Sequence, residues 1–107
     1  MKRYGELIKI RPDKFEEYKR LHSNVWPDVL KTLHECNFRN YTIFNAGEFL
    51  FGYYEYIGDD YAADTARIAD TEAVQKWWQL TIPCQIPLET RAEGDWWEQM
   101  EELFHMD

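Results

Sequence analysis

The run Phe38-Arg-Asn-Tyr-Thr-Ile-Phe44, the turn residues Asn45-Ala46-Gly47 and the run Phe49-Leu-Phe-Gly-Tyr-Tyr-Glu-Tyr-Ile57 leave this chain the least freedom. Two strand-length runs rich in β-branched and aromatic residues, joined by a short glycine-containing turn, specify a β-hairpin. Side chains alternate along a strand, so Tyr41 and Ile43 share one face. A hairpin alone is marginal and needs further partners. Residues 3–10, Arg-Tyr-Gly-Glu-Leu-Ile-Lys-Ile, read as a first strand that stops before Arg11-Pro12-Asp13.

Between that strand and the hairpin lies the densest chemistry, Phe15-Glu-Glu-Tyr-Lys-Arg-Leu-His-Ser-Asn-Val-Trp-Pro27. On a helix, Phe15, Tyr18, His22 and Val25 form one stripe with Trp26 at its edge, while Glu16, Glu17, Lys19 and Arg20 take the opposite face. A stripe that holds a phenol and an imidazole suits a pocket wall better than a core, because both groups need hydrogen-bond partners once buried. Pro27 pushes Trp26 out of helical geometry and suits the first turn of a second helix, which Val29, Leu30 and Leu33 carry to about Cys36. Asn37 then stops it.

After the hairpin, Gly58-Asp59-Asp60 caps a helix through Tyr61 to Ala69, and a second helical stretch runs from Ala73 to about Thr81. Trp77 and Trp78 diverge by about 100° on that helix, so one or both face a cavity. Ile82 to Asp95, with Pro83, Pro87 and Gly94, reads as a loop, and Met100 to Met106 as a last strand. Strand, helix, strand, strand, helix, strand is the α+β, ferredoxin-like βαββαβ order, with an antiparallel sheet and helices on one face. The many aromatics, 17% of residues, make a second copy of the chain the natural cover for the other face, giving a dimeric α/β-barrel type of assembly.

At 107 residues the chain holds one core and reads as a single domain, residues 1–107. A formal net charge of −8 with no Lys/Arg cluster longer than two residues opposes nucleic acid and anionic membrane as partners, and a neutral ligand fits better. No apolar run reaches membrane-spanning length and the basic residues at Met1-Lys-Arg are not followed by one, so a soluble, cytoplasmic protein is expected. Cys36 and Cys84 are too few and too isolated for a disulfide framework or a zinc ribbon, which leaves two reduced thiols. His34 and His105 have no partner at metal-ligand spacing and are expected to face solvent.

Glu16-Glu17-Tyr18 to His22, Trp26-Pro27, Asn40-Tyr41 and Trp77-Trp78 match in type, order and spacing the pattern of the L-rhamnose mutarotase family, which the chain resembles over nearly its whole length. The most specific part is Tyr-x-x-x-His-x-x-x-Trp-Pro coupled to a later Trp-Trp. The resemblance implies a ferredoxin-like dimer and a cofactor-free exchange between the α and β anomers of a 6-deoxy sugar. It implies that His22 is the proton donor and that Tyr18, Tyr41, Trp77 and Trp78 bind the monosaccharide. The segment Pro83 to Trp97, with Trp96-Trp97 and its acidic residues, departs from the pattern, which leaves the exact sugar open between L-rhamnose and L-fucose or another 6-deoxy sugar, since related chains are assigned to L-fucose.

Mutarotation moves a proton onto the ring oxygen and another off the anomeric hydroxyl, so it needs a donor and an acceptor. Histidine, with an unperturbed pKa of about 6.5, serves either way near neutrality. The Trp faces suit a sugar's C–H surface and methyl group. The base stays open among Tyr41, a water and the 20 carboxylates. Without the resemblance, His22 reads as a structural histidine and the two tyrosines as core residues with hydroxyls at the rim. Two rivals accompany the mutarotase: a ferredoxin-like monooxygenase or haem-binding protein with His22 as a lone axial ligand, and a non-catalytic sugar-binding module.

Overall fold

The computed structural model describes residues 1–107 and is organised by its first strand, β1 (Lys2–Ile10). A short 3-10 turn, Pro12–Lys14, leads into helix α1 (Phe15–His22), whose acidic first turn and basic last turn both complement its dipole. The chain leaves the helix at Ser23 and restarts as α2 (Pro27–Glu35), with Trp26 extended at φ −59°, ψ 134° and Pro27 in the first turn. The hairpin follows as β2 (Phe38–Ala46) and β3 (Phe49–Tyr56). Asp60 then caps α3 (Tyr61–Ala69) by accepting from the Ala63 amide at 3.1 Å, and α4 (Glu72–Thr81) carries the tryptophan pair.

All strand pairs are antiparallel, in the order β2-β3-β1. Register sets the inward rows: Tyr4, Glu6 and Ile8 of β1 lie opposite Tyr54, Gly52 and Leu50 of β3. The inward residues Ile8, Ile10 and Leu50 pack with Tyr18 and Cys84, while Phe38, Tyr54 and Tyr56 pack with Ile68 and Val74. Each fully buried aliphatic chain contributes about 1.5–3 kcal/mol, which anchors the helices to this face. On β2 two residues, Asn40 and Tyr41, oppose the single Tyr54 between the pairs Arg39–Glu55 and Thr42–Tyr53. This bulge, with Asn40 at φ 53°, keeps Tyr41 on the inward face with Ile43. The outward face keeps apolar groups in solvent, with Phe44 65% and Phe51 37% exposed.

The structure moves three expected boundaries. The hairpin turn is Gly47-Glu48 rather than Asn45 to Gly47, because Asn45 spends its amide on the carbonyls of Gly47 and Phe49 and lets β2 run on to Ala46. The segment Ile82 to Asp95 is not wholly a loop: a 3-10 turn, Ile82–Cys84, delivers β4 (Gln85–Ile86) onto Lys9 and Ile10 of β1. The last strand is β5 (Glu98–Met100), paired with Gly5 to Leu7, and not Met100 to Met106. Beyond Met100 the tail has no regular structure; the Glu102 and Asp107 side chains pair with Arg3, and Leu103, Phe104 and Met106 are exposed. The fourth position of the ferredoxin-like sheet is thus shared by β4 and β5 along one edge of β1.

Candidate active site

Between the inward face of the sheet and the helices lies a cavity of about 560 Å³, within the range that holds small-molecule ligands. Glu6, Tyr41, Ile43 and Tyr54 form its floor on the sheet. Tyr18 and His22 of α1 and Trp77, Trp78 and Thr81 of α4 form its walls, and Gln85, Trp96 and Trp97 border it from the C-terminal segment. The five residues singled out from the sequence, Tyr18, His22, Tyr41, Trp77 and Trp78, therefore all line one cavity.

α1 positions the histidine. His22 Nδ1 lies 2.8 Å from the Tyr18 carbonyl oxygen, an acceptor only, so Nδ1 carries the proton and donates it. That leaves Nε2 as the nitrogen free to exchange a proton with a ligand. The ring stacks on Tyr18 with centroids 4.1 Å apart and meets the edge of Trp77 at 5.3 Å. Burial lowers its pKa, against the opposing pull of the Tyr18 carbonyl.

Tyr18 is fixed from the far side of the cavity. Its hydroxyl accepts from Gln85 Nε2 at 3.1 Å, and Gln85 Oε1 accepts from the Trp96 indole at 2.8 Å. Burial pushes the Tyr18 phenol up to about 12, so it stays protonated and can donate to a ligand. The tryptophan pair divides as helix geometry requires. Trp77 is buried among Leu21, Val29 and the edge of Trp26, whereas Trp78 is 37% exposed at the cavity wall.

Periodicity and spacing did not bring forward Glu6. Glu6 is 5% exposed, its carboxylate accepts from the Tyr41 hydroxyl at 3.0 Å and from Gln99 Nε2 at 3.1 Å, and its side chain occupies the space beside Gly52 that a Cβ there would need. Burial raises its pKa, Gln99 and Tyr41 pull it back down, and the Asp95 carboxylate adds to the rise. A signal was available: Glu6 sits in the inward row between Tyr4 and Ile8, where a charged residue is out of place. Gln85, Gln99 and Trp96 carry no such signal, since their roles depend on how the C-terminal segment returns to β1. Cys36 and Cys84 are buried free thiols, and no three His, Cys, Asp or Glu side chains gather as metal ligands. His34 and His105 are exposed.

Fold and cavity together define a small ferredoxin-like α+β protein whose sheet and helices enclose an aromatic pocket equipped for proton transfer. The sequence model of the L-rhamnose mutarotase family matches residues 3–106, and the chain belongs to that family. An L-rhamnose mutarotase of Oceanobacillus iheyensis is 32% identical over 110 residues, covering 100% of both chains. One from Bacillus subtilis is 34% identical over 85 residues, 78% of this chain and 79% of its own length. The crystal structure of an L-rhamnose mutarotase from Formosa agariphila superposes over 100% of both chains with a TM-score of 0.78 at 23% identity, which speaks for the fold.

Proposed function

We propose that this chain is an isomerase that interconverts the α and β anomers of L-rhamnose by opening and reclosing the pyranose ring. The observation that carries the reading is His22. It is held by its Nδ1–H with Nε2 free, on the wall of a cavity whose faces are tryptophan and tyrosine rings. In this reading His22 exchanges a proton with the sugar through Nε2, donating as imidazolium and recovering the proton on ring closure. Tyr18 and Tyr41 hold hydroxyls, and Trp77 and Trp78 offer flat surfaces to the C–H faces and methyl group. Residues 1–107 serve as one domain, and no helix is long and apolar enough to cross a membrane. We place the protein in the cytoplasm, where two buried free thiols stay reduced.

The outward sheet face supports a homodimer. Phe44, Phe51 and Met100 are 65%, 37% and 41% exposed on it, and a second copy would bury them against their own counterparts about a two-fold axis. Sedimentation velocity should give a dimer, and a monomer at all concentrations would contradict it.

Polarimetry tests the activity. Freshly dissolved α-L-rhamnose should reach its equilibrium rotation faster with the protein than in buffer, and the same run with L-fucose ranks the two sugars. Equal rates with and without protein for both would overturn the reading.

A further inference from the structure

The chemistry of anomer exchange needs a second proton-transfer group beside His22, and the cavity offers one carboxylate built for it. Resting on the mutarotase reading, we propose that Glu6 is the catalytic partner of His22, the group that takes the proton of the anomeric hydroxyl on ring opening and returns it on closure.

The geometry sets Glu6 apart from the other acidic residues. Its carboxylate is buried in the cavity floor, each oxygen is steered by one donor, Tyr41 or Gln99, and no lysine or arginine pairs with it. Room for the side chain comes from Gly52, where a Cβ would stand 2.8 Å from Glu6 Cγ and 2.9 Å from Oε1. A charge in the inward row of a sheet is costly, and a purely structural position would be better served by an apolar residue.

The step balances without any co-reactant. Protonated His22 gives its Nε2 proton to the ring oxygen as the C1–O5 bond breaks and its electron pair stays on O5. The anomeric O–H gives its proton to Glu6, and its electron pair becomes the carbonyl bond. After rotation about C1–C2, O5 attacks the other face of C1, its proton returns to His22, and Glu6 reprotonates O1. Burial raises Glu6 and lowers His22, which draws the two proton affinities together and makes both directions easy. The other ionisable groups acting with Glu6 are the phenols of Tyr18, Tyr41, Tyr54 and Tyr61, all raised and protonated, and the Asp95 carboxylate.

The test is anomer exchange of L-rhamnose measured against pH for wild type, Glu6→Gln and Glu6→Asp, with sugar affinity read from tryptophan fluorescence. Glutamine keeps an acceptor for Tyr41 and, with the Gln99 amide turned over, a bond to it. Glu6→Gln should lose roughly 100-fold or more in kcat, the usual weight of a general acid–base group, with affinity within about threefold of wild type. The wild-type rate should fall on the acid side as Glu6 takes up a proton, and Glu6→Gln should lack that fall. Glu6→Asp should recover part of the rate and the acid limb. A Glu6→Gln protein with near-wild-type kcat, or with reduced kcat and an unchanged pH profile, would overturn the role of Glu6 alone. A wild type that exchanges neither L-rhamnose nor L-fucose overturns the mutarotase reading and this inference with it.

Discussion

Gly52→Ala isolates the contact between β3 and the buried carboxylate. The added Cβ would stand 2.8 Å from Cγ and 2.9 Å from Oε1 of Glu6, closer than van der Waals contact permits. Gly52 has no positive φ, so its backbone accepts alanine, and the swap by itself should stabilise by about 0.4–1 kcal/mol through the unfolded chain. The penalty therefore arises through Glu6. Its side chain must swing away and give up the bonds from Tyr41 at 3.0 Å and Gln99 at 3.1 Å. Each bond to a charged group is worth about 1.5–3 kcal/mol, so the net cost should be roughly 2–5 kcal/mol. In a Glu6→Ala background the obstacle is gone, and the same substitution should be neutral or slightly stabilising. Urea unfolding followed by tryptophan fluorescence on wild type, both single variants and the double variant measures the coupling. Costs that add to within about 0.5 kcal/mol would show that residue 52 and Glu6 do not press on each other.

Substitutions at Trp77, Trp78 and Tyr41 separate roles along the cavity. Trp77→Ala should cost about 3–5 kcal/mol, the usual loss for a buried Trp, because the ring packs against Leu21, Val29, Trp26 and His22. Trp78→Ala, at a 37% exposed position, should leave thermal stability nearly unchanged and raise KM for the sugar; thermal melts and exchange rates check both. Tyr41→Phe removes a donor that favours the ionised form of Glu6, so the Glu6 pKa should rise further and the acid fall of kcat should move to higher pH. A fall at unchanged or lower pH in a pH–rate series would contradict that coupling.

Much of the fold was legible because its signals are local. The hairpin, the Pro27 restart and the Asp60 cap each follow from a few neighbouring residues, and the structure has them where the pattern puts them, to within a residue or two. What escaped is non-local. β4 and β5 are two and three residues long and exist only because the edge of β1 is available, which no periodicity within Ile82 to Met106 can express. Tyr18, His22, Tyr41, Trp77 and Trp78 could be named as one set because the family pattern links them, while helix and strand spacing alone left the tyrosines open between pocket wall and core. Glu6 was readable in principle, as an acid in an inward row. Gln99 was not, since its contact spans 93 residues.

In the reading proposed above, anomer exchange in this cavity runs through His22. Saturation-transfer NMR between the anomeric protons of L-rhamnose tests it most directly, because spontaneous exchange is slow on that timescale. Clear transfer is expected with the wild-type protein, and its loss with a folded His22→Ala variant. Absence of transfer with wild type, or equal transfer with the variant, would contradict that reading.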